Sequence, residues 1–438
     1  MTRSEQRRNP RFARLAGIAC LVILLGTTIA AHAQTFTVLH DFTGSEGGNP
    51  GQALLIDARG NLYGVAGEAG NYGSDCQPYG CGTAFELKRA PSGWIFNLLY
   101  TFLGGYDGLR PDSSLVFGPD GALYGSLAQG GIGRCGDSGS LTCGMIYRLA
   151  PPASFCRSFL CSWNQTVLYR FTGLSDGGVP GQISFDGTGN IVGSTELGGL
   201  ENDGCSGYFC GTVFKLSHPG GGWTEGVLYA FQGGSGDGYW PDSSLVFDQA
   251  GNIYGTTIMG GYTYEGTVYQ LTPNGSGYSE QMIYQFNTGD SGQGPTGLIS
   301  DAAGNLYGTT FTGGTGGCGT VFELSTSNGS WIFSVLYSFS GGSGACGPSA
   351  GVVMDAAGNL YGTTNRTGAD NRGVVFKLTY SGGAWSYSSL HDFTGGADGA
   401  NPGALVLDSS GNIFGVSSDG GHGECGGFGC GAVWEITP

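Results

Sequence analysis

Seven times along this chain a Gly-Asn or Gly-Ala step runs into two larger residues and a second glycine. The copies are GNLYG (60–64), GALYG (121–125), GNIVG (189–193), GNIYG (251–255), GNLYG (304–308 and 358–362) and GNIFG (411–415). They stand 53 to 68 residues apart. A period of this length marks a supersecondary unit that hides its apolar face only by stacking on its own copies.

Each copy holds four strand-like runs. The first is short and apolar, as in ALLID (53–57) and SLVFD (244–248), the pattern of a buried strand. A turn such as DAAGN (301–305) then reverses the chain, because Gly and Asn accept positive φ. The second run opens on the repeated block, and its interior glycine implies the close approach of another backbone. After a glycine-rich loop comes the third run, as in GTVFEL (319–324), and then the fourth, as in WIFSVLYSF (331–339). The tryptophans that open the fourth runs, Trp94, Trp163, Trp223, Trp331 and Trp385, recur in register and are expected to pack between units.

Residues 53–438 supply seven first, second and third runs but only six fourth runs. The seventh fourth run, QTFTVLHDF at 34–42, stands ahead of the first unit and matches WSYSSLHDF at 385–393. A closed ring gains from this displacement, since the first and last segments then share one sheet. An open solenoid gains nothing. The expected fold is all-β: one seven-bladed β-propeller over 34–438, with four-stranded blades and the last blade closed by the N-terminal strand.

Glycine reaches 89 residues with no G-X-Y period, which excludes collagen, and 12% aromatic content argues against disorder. Residues 1–33 read as a secretory signal peptide: five arginines, an apolar run from Leu15 to Ile29, and cleavage near Ala33. The apolar run is short for a membrane span, so no span is expected in the mature chain. Without this segment 12 basic and 32 acidic residues remain, a net −20 against −16 for the whole chain. Such a surface repels nucleic acid and anionic lipid.

The twelve cysteines after Ala33 cluster in sequence. Cys76/Cys81, Cys156/Cys161, Cys205/Cys210 and Cys425/Cys430 are C-x4-C pairs; Cys135/Cys143 is wider, and Cys318 and Cys346 are left to pair with each other. In an exported chain this reads as six disulfides rather than zinc, since no histidine stands beside them.

The Gly-Asn-Leu-Tyr-Gly-Thr-Thr blocks, the Gly-Gly after them and the Gly-Thr-Val-Phe-x-Leu runs resemble the GloVer-type tandem repeats of exported bacterial proteins of the choice-of-anchor class. The resemblance covers essentially the whole mature chain and implies no established activity. Such proteins often end in an envelope-sorting segment; here Trp434–Pro438 ends a strand, so release into the periplasm or medium is the expectation.

In an up-and-down blade the loop between second and third strands and the loop into the next blade lie on one face. Both are long and variable here, which makes this the expected binding face. Five blade-joining loops place an acid four residues before a proline: Glu46, Asp107, Asp176, Asp237 and Asp398, with Asp290 one place off. Either these acids form a rim for cations or sugar hydroxyls, or each caps its own turn. No loop has the EF-hand pattern, so no cofactor is expected, calcium being the one ion left open. Tyr72, Tyr79, Tyr106, Tyr208, Phe209, Tyr239, Trp240, Tyr262 and Tyr264 add flat rings to these loops. Tyr239 and Trp240 beside Asp237 combine a stacking surface with a carboxylate, the first candidate site. No nucleophile elbow, zinc helix or phosphate loop appears. The expectation is a monomeric, non-enzymatic binding protein for a glycan or a partner protein; a carbohydrate-active hydrolase or lyase on the same ring is the alternative.

Overall fold

The Asp-x-x-Gly-Asn step builds one turn wherever it occurs. Asp57 Oδ1 accepts from the backbone N–H of Arg59 at 2.8 Å and of Asn61 at 2.9 Å, while Asn61 Nδ2 donates to Oδ2 at 2.7 Å. The same cage forms at Asp186, Asp248, Asp301, Asp355 and Asp408. The tyrosine of the block adds its hydroxyl, Tyr254 to Asp248 at 3.0 Å and Tyr361 to Asp355 at 2.9 Å. The repeated sequence is thus a capped hairpin between the first and second strands.

A computed structural model describes residues 34–438 apart from 132, 134, 136–141, 153–162, 201–204, 206–209, 242, 276, 288, 342–344 and 426. The signal segment 1–33, the pair Cys156 and Cys161, and Tyr208 and Phe209 lie outside the described residues. Gln34–Pro438 is one unit, and its described residues form seven antiparallel sheets, the blades of a β-propeller. In the first blade Leu55–Ile56, Leu62–Ala66, Thr83–Ala90 and Gly93–Thr101 pair in chain order. In blades four, six and seven the first strand comes in two pieces, as with Gly238–Pro241 and Val246–Phe247 against Ile253–Gly260.

The seventh sheet is closed from the N-terminus. Thr35–Asp41 pairs antiparallel with Ala432–Thr437, with Val38 opposite Trp434 and His40 opposite Val433. The skipped residue, Leu39, is a β-bulge. The other six fourth strands bulge at the same place, skipping Leu99, Leu168, Leu228, Ile283, Leu336 and Leu390. The displaced strand therefore reproduces the irregularity of its six relatives, which is what a true blade member does.

The core is seven wedges, one between each pair of neighbouring blades. The phenylalanine that ends each fourth strand drives edge-on into the third-strand aromatic of the next blade: Phe102 on Tyr147 at 5.2 Å, Phe231 on Tyr269 at 5.1 Å, Phe339 on Phe376 at 5.1 Å. Phe42, from the N-terminal strand, makes this contact with Phe85 at 5.2 Å and closes the ring. Trp94 packs across the same interface on Phe414 and Trp331 packs across another on Tyr254.

The interior glycine of the second strand has a further reason beyond the one expected. The third-strand ring of its own blade lies over it in every blade, and only at Gly308 does a backbone atom, Gly297 O, also come close. A Cβ at Gly64 would stand 2.5 Å from Phe85 Cζ, and one at Gly415 would stand 2.4 Å from the Trp434 ring. The glycine is space for an aromatic.

Candidate functional site

The joining loops are built by the acids in question. Asp107 accepts from Tyr100 Oη at 2.6 Å and from Leu103 N–H at 2.7 Å. Asp176 accepts from Tyr169 Oη at 3.0 Å, and from Thr172 through N–H at 2.9 Å and Oγ1 at 2.5 Å. Asp237 takes Tyr229 Oη, Gln232 N–H and Gly238 N–H at 2.7–2.8 Å. Asp398 pairs with His391 Nε2 at 3.1 Å and with Thr394. Glu46 accepts from Thr43 and Ser45, with His40 Nε2 at 3.4 Å. Each acid ties the fourth-strand Tyr or His to the loop that follows it. In the loop with Asp290 it is Ser291 that accepts the Asn287 N–H, at 3.1 Å. Burial pushes the Asp237 carboxyl up, against the hydrogen bonds made to it; at Glu46 burial acts the same way, and the Thr43 and Ser45 bonds outweigh it and hold the carboxyl low.

Beyond each acid stands a residue before proline, and in all seven joining loops it has positive φ: Asn49, Arg110, Val179, Trp240, Gly294, Gly347 and Asn401. For Val179 and Trp240 this is a strained conformation that needs outside support. The support is one hydrogen bond across each blade interface. The N–H of Arg110 donates to Cys81 O at 3.1 Å, Val179 to Cys143 O at 2.8 Å, Trp240 to Cys210 O at 3.0 Å, Gly347 to Cys318 O at 2.9 Å and Asn49 to Cys430 O at 3.0 Å. Glu265 and Arg372 supply the carbonyl in the other two. Five of the seven acceptors are thus cystine residues, in the disulfides Cys76–Cys81, Cys135–Cys143, Cys205–Cys210, Cys318–Cys346 and Cys425–Cys430, with Cα–Cα distances of 4.5–5.5 Å. The expected pairings hold for these five. Besides closing their own loops, these rings fix the acceptors that register one blade on the next. The following proline seats on a glycine of the preceding blade, where a Cβ would stand 2.5 Å from Pro111 Cδ at Gly82 and 2.7 Å from Pro50 Cδ at Gly431.

The strands nearest the axis enclose a cavity of about 330 Å³, lined by Gln52, Ser114, Gln182, Ser244, Ser349 and Asp112 among others from every blade. Asp112 is the one acid among its described lining residues. Its carboxyl is walled in by the channel and pushed up to about 6; Arg110, 3.5 Å away, opposes that shift and Glu68 adds to it. Two smaller cavities open beside it, one of about 260 Å³ at blades six, seven and one, the other of about 100 Å³ beside Glu68 and Arg110.

The loop face carries most of the large exposed apolar side chains. Tyr72, Tyr79, Tyr106, Tyr262 and Tyr264 are exposed as their loop positions imply, Tyr106 by 75% and Tyr262 by 76%. Tyr239 is different: it is 4% exposed and packs on Trp240 at 5.3 Å, in the wedge between blades three and four, with the indole half-buried. Asp237 is 6% exposed and turned to its own loop, where Tyr229, Gln232 and Gly238 take its oxygens, while the Trp240 N–H goes to Cys210 O. Sequence reasoning missed Leu103, Leu174 and Phe428, the last 73% exposed beside the Cys425–Cys430 ring. Their signal was a large apolar residue inside a glycine-rich loop. Among the described residues no group of His, Cys, Asp or Glu is arranged to hold a metal ion, and no helix is long and apolar enough to cross a membrane.

The model of the Gloeobacter/Verrucomicrobia repeat family matches residues 26–206 and 202–429. No curated protein matches. Solved structures share the fold at low identity. Virginiamycin B lyase from Staphylococcus aureus is 12% identical over 92% of this chain and 100% of its own, with a TM-score of 0.51. A candidate 6-phosphogluconolactonase from Bacteroides uniformis is 16% identical over 82% and 90%, at 0.50. The extracellular domain of a candidate hybrid two-component system from B. thetaiotaomicron is 12% identical over 92% of this chain and 41% of that one, also at 0.50.

Proposed function

The chain belongs to the Gloeobacter/Verrucomicrobia repeat family, and on that premise we propose that it is an exported, non-enzymatic binding propeller whose ligand, a glycan or a partner protein, is met by the long-loop face. One observation carries this reading: exposed rings such as Tyr79, Tyr106, Tyr262 and Phe428 crowd that face, with Tyr79 and Phe428 held inside the Cys76–Cys81 and Cys425–Cys430 rings. Rings held in place beforehand lose little freedom when a ligand arrives, which favours affinity. The disulfides suit an oxidising compartment outside the cytosol, in line with export through the segment 1–33.

A hydrolase or lyase on this ring would want a deep pocket lined by acids, with two carboxyls about 5–10 Å apart. The central cavity is lined instead by serine, glycine, alanine and glutamine, with Asp112 alone among its described acids. The rim acids Glu46, Asp107, Asp176, Asp237 and Asp398 spend their oxygens on their own loops, which supports a scaffolding part for them in presenting that face. The test is a glycan, polysaccharide and peptide array read for both retention and product release. Retention without new products is the expected result; released products would overturn the non-enzymatic reading.

A further inference from the structure

The mouth of the channel is uneven in a way the repeat makes visible. The residue before proline is asparagine at Asn49 and Asn401, and the residue three places after the second block glycine is Asn365 and Ser418 in blades six and seven. These four, with Gln52 and Ser349, line the cavity of about 260 Å³. The matching positions elsewhere hold Arg110, Val179, Trp240 and two glycines before proline, and Gly67, Ala128, Glu196, Ile258 and Phe311 after the block, none of them an amide. Amides are therefore gathered on one arc of a ring whose framework is otherwise uniform.

No charged side chain lines this cavity among the described residues, although the chain carries a net −16. Asn401 Nδ2 donates to Asp419 Oδ2 at 2.6 Å, which fixes the amide and leaves its oxygen as an acceptor. Asn365 Oδ1 is buried and has no hydrogen-bond partner. Buried polar atoms are nearly always paired; this oxygen sits behind the cavity wall, packed beside Gly347, so it is the rest of the lining that meets a ligand. Amides and hydroxyls both give and accept hydrogen bonds, as sugar hydroxyls do. A hard cation would want carboxylates, and an anion would want a basic group; neither lines this space.

We infer that this cavity is a subsite for one neutral, polyhydroxylated ring, the end unit of a glycan. The inference rests on the binding reading above and narrows it to one ligand class and one place. The amides of Asn49, Asn365 and Asn401 meet the hydroxyls of the end unit, and the rest of the glycan runs outward over the aromatic loop tips.

The test uses the full chain from residue 34 against immobilised neutral oligosaccharides, with sulfated and uronic-acid counterparts, and then calorimetry on the neutral sugar best retained. Asn49→Ala, Asn365→Ala and Asn401→Ala should each weaken that sugar at least tenfold while the protein stays folded at the assay temperature, although alanine at 49 and 401 lowers the melt by straining a left-handed backbone. Asn49→Asp, which tolerates that backbone, should weaken the sugar as much with the melt unchanged. Should Asn365→Ala fail to fold, the Asn49 variants still decide. A retained sugar whose affinity none of these substitutions changes overturns the subsite and leaves the binding function standing. Preference for the charged counterparts, or capture of peptides alone, also overturns it. Cleavage of the immobilised sugars would instead overturn the binding reading itself.

Discussion

Two glutamates give the protein a stability that should fall as pH rises. Phe36, Phe96, Phe333 and Tyr387 hold equivalent places on the fourth strands, each opposite the third-strand Leu or Ile. They stack on a Tyr or His of the neighbouring blade, as Phe36 does on His391 at 3.7 Å and Phe333 on Tyr284 at 3.9 Å. In blades three and four the place is taken by Glu225 and Glu280. Each carboxyl is pushed up to about 7, by burial first and by Asp176 or Asp237 second. A folded-state value above the unfolded one means the fold binds the extra proton. The resulting stability is full below about pH 4.5 and is lost as pH climbs through about 7. At ~1.4 kcal/mol per unit the whole shift would be worth about 3 kcal/mol per group. Both side chains are partly open to water, and screening cuts this to about 1 kcal/mol each. The double variant Glu225→Gln, Glu280→Gln keeps shape and removes the titration. Unfolding free energies from urea titrations between pH 4.5 and 8.5 should coincide with wild type at the acid end and exceed it by about 1–2 kcal/mol at pH 8, with the midpoint moving accordingly. Other raised carboxyls, Asp237 and Asp112 among them, act in the same direction, so the difference between the proteins is the quantity that counts. Equal midpoints at pH 8, or a variant weaker at both ends, would refute the reasoning.

Ring closure has its own test: deleting 34–42 uncovers the edge of Ala432–Thr437, and the truncated protein should associate and melt earlier, whereas an unchanged, monodisperse melt would contradict closure. Phe42→Ala, which empties the 7–1 wedge, should cost about 3–5 kcal/mol in urea unfolding, as much as Phe231→Ala within the continuous chain. Gly415→Ala should cost about 1–3 kcal/mol, since the Trp434 ring occupies the space of the new methyl; a neutral result would mean the ring moves freely. Non-reducing peptide maps should show Cys318 joined to Cys346, a closure across 28 residues worth about 3–4 kcal/mol on the chain-entropy model; free thiols there would remove the account of how blades five and six are held.

The fold was legible because the repeat states it seven times and the one missing strand appears at 34–42. Periodicity carries information about what recurs within a unit, such as the Asp57 cage or the Phe42 class of wedge residue. It says less about what happens between units. The interior glycine at 64 was read against a backbone because sequence does not show which neighbour fills the space; the answer, Phe85, lies on the adjacent strand. The cystine carbonyls that hold Arg110 and Trp240 in the left-handed region join residues of different blades, and no local pattern announces them. Asn49, Asn365 and Asn401 meet only when the ring closes, so their common cavity was invisible along the chain. The rim acids were visible, yet their direction was not, because a Tyr seven or eight residues upstream decides where the carboxylate turns.

The most direct measurement is binding to whichever array component is retained, by wild type and two variants of matched stability. One carries Tyr106→Ala, Tyr262→Ala and Phe428→Ala on the long-loop face. The other carries Tyr380→Ala, 59% exposed at the end of the third strand Val374–Ser381, toward the opposite face. A ligand met by the long-loop face should be weakened about tenfold or more by the first set, at least one hot-spot loss of ~1–3 kcal/mol, and left unchanged by the second. Binding that survives the first set and fails with Tyr380→Ala would contradict the account.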